Sequence, residues 1–327
     1  MTVGEDPKQK ISRRRFGSVV VGLGTVVAAA CGQASNSGGA AAGAQSSGAS
    51  AGPVTFANPN LVVNASWLKQ HIKDANLRIV DTRPAADYAK GHIPGAVSLP
   101  VTETFDPEKD KNFPDTKEKL EALFSQKGIG NNLRVVTYDD GLATQAGRLF
   151  WTLEYSGHTN AAVLNGGIKA WQAEGGELST EVPTVPAAKY TSKIDPAKMP
   201  TREQCEIAIN DPKKVVLDTR SPEEYRGDDV RAKFGGHIPG AINIDWRENF
   251  TGASVLKAPD VLKTMYESKG VTKDKEVIAH CQTGQRSAVT YWVLRLLGYQ
   301  NVGNYAGSWI EWGNDPNTKK IQGPSPK

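Results

Sequence analysis

The chain has 327 residues, a hydrophobic fraction of 39% and a formal net charge of +4. This length favours two domains, and the apolar content is sufficient for folded cores. Five basic and two acidic residues within the first 31 give that segment a net charge of +3. The rest is therefore close to neutral, and nucleic-acid binding is not expected. Three cysteines are too few for a disulfide framework.

The first 31 residues have the features of an export signal. Ser12–Phe16 (SRRRF) resembles the twin-arginine export motif, and an uncharged stretch follows from Gly17 to Ala30. That stretch is shorter than the roughly 20 apolar residues of a transmembrane helix. It leads into Ala28–Gly32 (AAACG), which resembles a lipoprotein cleavage box and predicts a lipid on Cys31. The alternative is cleavage after Ala30 without a lipid. We expect an exported, extracytoplasmic protein that contacts the membrane through this lipid anchor only.

Residues 32–57 are dominated at their start by Gly, Ala, Ser, Gln and Asn. Such a composition cannot bury enough apolar surface to fold, so a flexible linker is predicted.

The remaining chain contains two copies of one pattern. Ile79–Pro84 (IVDTRP) matches Val216–Ser221 (VLDTRS), and Gly91–Ala96 (GHIPGA) recurs at Gly236–Ala241. The second copy has an eight-residue insertion between these two segments, around 227–235. Four further matches have a constant spacing: Trp151 with Trp292, Gly157 with Gly298, Asn160 with Asn301, and Trp171 with Trp312. We predict domains at 58–182 and 201–320, joined by a segment at 183–200.

Each copy alternates short apolar runs with amphipathic helical patterns. The predicted strands include 77–80, 134–138, 215–217 and 276–279. The predicted helices cover 67–73, 116–127, 144–155, 202–208, 259–269 and 287–297. Ser66 and Thr201 are candidate N-caps. The alternation predicts an α/β fold in which each domain has a mainly parallel sheet flanked by helices.

Cys281 lies in Val277–Ser287 (VIAHCQTGQRS), between an apolar strand and the start of a helix. Free backbone N–H groups and the helix dipole stabilise an anion there, so the thiol pKa is expected to fall. Gly284 permits the backbone turn, and Arg286 adds positive charge. We predict Cys281 as the nucleophile; the alternative is a buried cysteine that only packs. The predicted active-site loop consists of Gln282, Thr283, Gly284, Gln285, Arg286 and Ser287.

The size of this loop indicates a small anion. Four residues separate Cys281 from Arg286, whereas loops of the tyrosine-phosphatase type have five. A phosphatase or arsenate reductase would use a similar cradle, but the shorter loop disfavours both. The terminal sulfur of a persulfide fits the smaller ring.

The repeat, the two GHIPGA segments, the CQTGQRS loop and Gly307–Trp312 (GSWIEW) together resemble the tandem rhodanese family. The resemblance covers about Leu61 to Gly313. It implies activity in the C-terminal domain, where a cysteine takes sulfane sulfur and passes it as a persulfide to cyanide or a thiol. It implies no cofactor besides this covalent intermediate. Asp139 or Asp140 stands where the second copy has Cys281, so the first domain is expected to be catalytically silent.

The expected partners are a small sulfur donor and a cyanide or thiol acceptor. We predict thiosulfate as the donor; 3-mercaptopyruvate sulfurtransferase and a persulfide carrier for a protein partner are the alternatives. The charges of the loop only modestly favour thiosulfate, because Gln282 and Thr283 are neutral while Arg286 is basic. In addition, Glu224 stands where the animal enzymes of this family have an arginine in the segment that binds the donor. The candidate substrate-binding residues are Arg286, Arg220, Arg231, Lys233 and Trp309.

Other polar residues have structural explanations. Asp218, Arg220 and His237 are expected to brace loops, because the first copy repeats them at positions 81, 83 and 92. Cys205 lies in a predicted helix and is expected to pack. No metal site is expected, since no group of histidines, cysteines and carboxylates has ligand spacing.

Overall fold

The structure is a computed structural model that describes residues 55–109, 113–252 and 254–326. The predicted export signal, Cys31 and most of the predicted linker lie outside these residues. Within them, every helix is too short or too polar to traverse a lipid bilayer.

The first domain is built on a parallel sheet. Its strands are β1 (Val62–Val63), β2 (Leu77–Asp81), β3 (Val97–Ser98), β4 (Arg134–Tyr138) and β5 (Ala161–Leu164). Its helices are α1 (Ala65–His71), α2 (Ala85–Lys90), α3 (Lys117–Gln126), α4 (Thr144–Tyr155) and α5 (Gly167–Ala173). The strands follow the order β1-β5-β4-β2-β3, and every pair is parallel.

The second domain repeats this arrangement. Its strands are β6 (Lys214–Asp218), β7 (Ile242–Asn243), β8 (Glu276–His280) and β9 (Val302–Asn304), in the parallel order β7-β6-β8-β9. Its helices are α6 (Arg202–Ala208), α7 (Pro222–Arg226), α8 (Pro259–Glu267), α9 (Arg286–Leu296) and α10 (Ser308–Trp312). Short 3₁₀ turns occur at Pro59–Leu61, Val101–Thr104, Pro196–Lys198 and Trp246–Asn249.

The strand register relates the two copies residue by residue. Asp81 pairs with Tyr138, and Asp218 pairs with His280. The next residues along the chain, Asp139 and Cys281, therefore occupy equivalent places at the end of a central strand. This resolves the sequence alternative in favour of Asp139 as the counterpart of Cys281.

The predicted α/β fold with parallel sheets is confirmed, and the predicted elements agree with the structure to within about two residues. Thr201 caps α6 in a capping box with Gln204, as predicted. Ser66 as an N-cap is wrong: α1 begins at Ala65, and the Asn64 side chain accepts the N–H of Trp67. The predicted linker also extends too far, because Phe56 packs against the core.

Helices α4 and α9 join the two domains through one hydrophobic core. The two helices are in close contact at Gly147, where an added Cβ would lie 3.4 Å from the Cα of Val289. Trp151 on α4 and Trp292 on α9 are completely buried, and each such side chain contributes about 2–3 kcal/mol of hydrophobic stabilisation. The packing brings α4 of the first domain against the loop that precedes α9.

Candidate active site

Cys281 directly follows β8, and its sulfur is enclosed by the loop that leads into α9. The N–H of Gly284 donates to Sγ at 3.1 Å, and the backbone N–H groups of Thr283 and Ser287 also hydrogen bond to it. Gly284 adopts a φ of 77°, which glycine takes without strain. The loop therefore forms the predicted cradle of N–H donors at the N-terminus of α9.

The electrostatic surroundings favour the thiolate of Cys281. Burial opposes ionisation and would raise its pKa, but the charge of Arg286 and the hydrogen bonds from Ser287 and Thr283 outweigh burial and lower it. His280, the neighbouring residue, has its pKa lowered to about 4, mainly by burial. His280 is therefore neutral at neutral pH, and the positive charge that lowers the pKa of Cys281 comes from Arg286.

Residues of the following strand and helix hold the loop in place. Asn304 Nδ2 donates to the carbonyl oxygen of Gly284 at 3.0 Å. Ser287 Oγ lies 2.6 Å from Asn304 Oδ1 and 3.5 Å from Cys281 Sγ, and its single proton can serve only one of them. Ser308 Oγ accepts the N–H of Cys281 at 3.2 Å. Neither Asn304 nor Ser308 was predicted from the sequence, although Ser308 lies within the motif GSWIEW.

Arg286 is fixed by a carboxylate on α7. Its two terminal nitrogens lie 2.6 and 2.8 Å from the two oxygens of Glu224, which is 1% exposed. Burial of Glu224 would raise its pKa, but the hydrogen bonds and charge of Arg286 outweigh it and lower the pKa. The charge of Arg286 is thus shared between the sulfur and a buried counter-ion, which reduces the net positive charge offered to a donor.

A cavity of about 450 Å³ opens beside Arg286. Gln282 Nε2 donates to the carbonyl oxygen of Arg231 at 2.8 Å, so the insertion at 227–235 reaches the active-site loop. Arg247 also lines this cavity. It was not predicted as a site residue, because no sequence pattern relates it to the active-site loop. The lining residues are Ser221, Glu223, Glu224, Asp229, Arg231, Trp246, Arg247 and Arg286.

The other candidate substrate-binding residues lie elsewhere. Arg220 binds both oxygens of Asp218 and the carbonyl oxygen of Gly236, and its guanidinium lies 4.4 Å from the centre of the Trp309 ring. Trp309 Nε1 donates to Phe234 O, and Lys233 uses its backbone N–H to bind Asn314. None of the three side chains is among the residues described as lining the cavity.

The repeated polar residues brace loops in both domains, as expected. Arg83 binds Asp81 and the carbonyl oxygen of Gly91, as Arg220 does in the second domain. His92 and His237 are buried, and each stacks on a tyrosine at a centroid distance of 3.7 Å. Because the first domain has the same contacts without a cysteine at the position of Cys281, these contacts are explained by the fold.

Cys205 on α6 is also buried, as expected, and burial raises its pKa. Its thiol is thus protonated at neutral pH. No group of three or more potential metal ligands comes together in the part of the chain that the structure describes.

In the first domain, the loop equivalent to the one around Cys281 is filled by the side chain of Asp139. Asp139 Oδ1 accepts the N–H groups of Gly141 and Ala143, at 2.8 and 3.1 Å. Its Oδ2 accepts those of Gln145 and Ala146, at 3.0 and 3.3 Å. Burial raises the pKa of Asp139, and these four donors oppose that effect by stabilising the carboxylate. The equivalent loop thus binds the carboxyl group of Asp139 where the second domain holds the sulfur of Cys281.

Replacing Asp139 by alanine is expected to destabilise the protein without slowing turnover. The four N–H donors would lose their buried acceptor, at a cost of about 2–4 kcal/mol, while the loop around Cys281 stays intact. Thermal unfolding and initial rates check this. Asp140→Ala is the control, because Asp140 is exposed and its removal is expected to change neither. A large fall in turnover of Asp139→Ala at temperatures where it remains folded would contradict a silent first domain.

Both domains match one known protein family. The family model for the rhodanese-like domain matches twice, at residues 64–174 and 201–315. The chain belongs to the rhodanese family. The prediction from the sequence repeat is thereby confirmed, and the protein is an enzyme, a rhodanese-type transferase.

Several similar proteins cover the same two domains. A thiosulfate sulfurtransferase of Pseudomonas aeruginosa is 40% identical over 265 residues, which span 80% of this chain and 97% of that protein. The sulfur carrier protein TtuD of Thermus thermophilus is 34% identical over 280 residues, which span 79% and 95%. Among solved structures, the 3-mercaptopyruvate sulfurtransferase SseA of Escherichia coli is 27% identical with a TM-score of 0.69, over 76% of this chain and 98% of SseA.

Proposed function

We propose that this rhodanese transfers sulfane sulfur from thiosulfate to cyanide or a thiol through a persulfide on Cys281. The observation that carries the proposal is the cradle of N–H donors around Sγ, which lowers the pKa of the Cys281 thiol and so favours the nucleophilic thiolate. In the first half-reaction the thiolate attacks the sulfane sulfur, and the bond between the two sulfur atoms of thiosulfate breaks. Sulfite leaves with the electron pair, and the enzyme retains a persulfide anion. In the second half-reaction the acceptor takes the outer sulfur, and the thiolate is restored.

Thiosulfate is favoured as donor by the guanidinium groups of Arg231, Arg247 and Arg286 around the cavity and by the activity named for the Pseudomonas relative. The carboxylates of Glu223, Glu224 and Asp229 line the same cavity. They reduce its affinity for a dianion, so the preference over mercaptopyruvate is expected to be modest. Because Cys281 has no exposed surface, a donor reaches Sγ only after part of the surrounding loop moves.

The test is sulfite release under multiple turnover. With excess thiosulfate and cyanide, an enzyme releases many equivalents of sulfite per chain. Mercaptopyruvate, assayed in parallel, is expected to give the lower kcat/KM. A single equivalent of sulfite that stops at persulfide formation with every small acceptor would instead favour the carrier function, which the relative TtuD has by name. Faster turnover with mercaptopyruvate would reverse the assignment of donor and leave sulfur transfer in place.

We further propose that the protein is exported by the twin-arginine route and anchored by a lipid on Cys31. The support is in the sequence of residues 12–32. Substituting Arg13 and Arg14 by lysine is expected to retain the precursor inside the cell, and Cys31→Ala to release the mature protein from membranes. Cell fractionation measures both. If the unsubstituted protein is already free of membranes outside the cytoplasm, cleavage without a lipid is the correct alternative.

A further inference from the structure

One buried cation of the first domain faces the active-site loop of the second. Arg148 lies on α4, and none of its surface is exposed. Its Nη1 donates to the carbonyl oxygen of Gly284 at 3.0 Å, and the N–H of the same glycine donates to Cys281 Sγ at 3.1 Å. A single residue of the loop therefore separates the guanidinium from the sulfur.

Aromatic rings and close packing hold the guanidinium at this position. Its central carbon lies 4.4 Å from the centre of the Trp151 ring and 5.1 Å from that of Phe105, where a cation is attracted by the ring faces. On the side of the loop, a Cβ added to Gly284 would lie 2.7 Å from Nη1 and 3.0 Å from the carbonyl oxygen of Ala306. The loop is thus clamped between the two domains at Gly284.

The internal repeat shows that Arg148 is not part of the common fold. Trp151 corresponds to Trp292, so Arg148 corresponds to Val289 on α9. The silent copy therefore has a buried arginine at a position where the catalytic copy has an apolar residue. Burying a cation costs several kcal/mol unless its surroundings compensate, and a requirement of the fold alone would be met by an apolar side chain, as it is in the second domain.

We propose that Arg148 of the first domain is a positioning residue of the active site, which fixes Gly284 and adds positive charge near the sulfur of Cys281. This rests on Cys281 being the residue that carries the sulfur. The contacts at Gly284 bring the charges of Arg148 and Cys281 close enough to stabilise each other. Burial lowers the pKa of Arg148 to about 9, and the negative charge of Cys281 opposes that change. The cation in turn favours the thiolate, and the persulfide anion that replaces it, in a site of low dielectric constant.

The test compares two substitutions of similar size, Arg148→Lys and Arg148→Gln. Both remove the guanidinium, but only lysine keeps the charge. The rate of alkylation of Cys281 by iodoacetamide is measured from pH 5 to pH 10, together with thermal unfolding. Removing the charge raises the thiol pKa, so the glutamine variant is expected to react about tenfold more slowly at low pH and at the original rate at high pH. The lysine variant is expected to stay within about threefold of the original rate throughout.

Arg78→Gln is the matched control. Like Arg148, Arg78 is an arginine of the first domain that donates to a glycine carbonyl, that of Gly128 at 3.0 Å, but it is only partly buried and lies outside the active site. Its loss is expected to lower the melting temperature and to leave the alkylation profile unchanged. Equal profiles for the lysine and glutamine variants of Arg148, or an unchanged profile for both, would overturn the proposal. Activity that survives Cys281→Ser would contradict the proposed function instead, so the two failures are distinguishable.

Discussion

Cys281→Ser is expected to lower kcat/KM for thiosulfate by roughly 10³-fold or more, with little change in melting temperature. The serine hydroxyl is not ionised at neutral pH, even in a cradle that lowers the pKa of a thiol, and it cannot form a persulfide. The oxygen is smaller than sulfur but accepts the same backbone N–H groups, so the loop remains folded. Sulfite release and thermal unfolding, measured on the same preparation, check the two parts of this prediction.

Cys205→Ser is the matched control. Cys205 is as completely buried as Cys281, but burial raises its pKa, and its side chain packs in a separate apolar cluster. Turnover is expected to stay close to that of the unsubstituted enzyme, whereas stability falls. If the Cys281 variant kept most of its activity, or if the Cys205 variant lost it while folded, the sulfur would have to be carried elsewhere.

Arg286→Ala is expected to lower kcat/KM for thiosulfate by roughly ten- to hundred-fold, and by less for mercaptopyruvate. Both reactions lose the cation that lowers the pKa of Cys281. Thiosulfate additionally loses a contact to its second negative charge, which the monoanionic donor lacks. Steady-state kinetics with both donors measure the difference, and an equal loss for the two would contradict the role of Arg286 in choosing thiosulfate.

The same substitution has a consequence for stability that depends on pH. Without Arg286, Glu224 remains in a buried position with no bidentate partner, and burial then raises its pKa. Its ionised form becomes unfavourable in the folded state, so the loss of stability should be about 3 kcal/mol at pH 8 and smaller at pH 5. Melting temperatures at the two pH values test this. Adding Glu224→Gln to Arg286→Ala is expected to remove the pH dependence without restoring turnover.

Much of this fold could be predicted from the sequence, because the local signals for strands and helices agree with the internal repeat. The apolar run before Cys281 and the helix after it predict a strand, a loop and a helix N-terminus, and these three elements are enough to form the N–H cradle. The register at Asp218 and His280 adds what the sequence left open, namely that Asp139 is the equivalent of Cys281. That alternative depended on a gap of one residue, which only the pairing of strands resolves.

The contacts that were missed are those between elements distant in the chain. Arg148 and Gly284 are separated by 136 positions, and Glu224 and Arg286 by 62. Arg148 is the one charged residue in the stretch 146–153 (AGRLFWTL), a signal that could have identified it as unusual, but its partner depends on how α4 packs against α9. Conversely, Arg220 was a candidate for substrate binding because of its charge. In the structure its guanidinium instead forms an ion pair with the buried carboxylate of Asp218.

The most direct test of the account is to locate the transferred sulfur. The protein is incubated with thiosulfate, separated from it and analysed by intact mass spectrometry and peptide mapping. The account predicts a gain of one sulfur atom per chain, located on Cys281, absent from Cys281→Ser and removed by cyanide. A chain that releases sulfite while Cys281 remains unmodified, or that carries the added sulfur on Cys205, would contradict it.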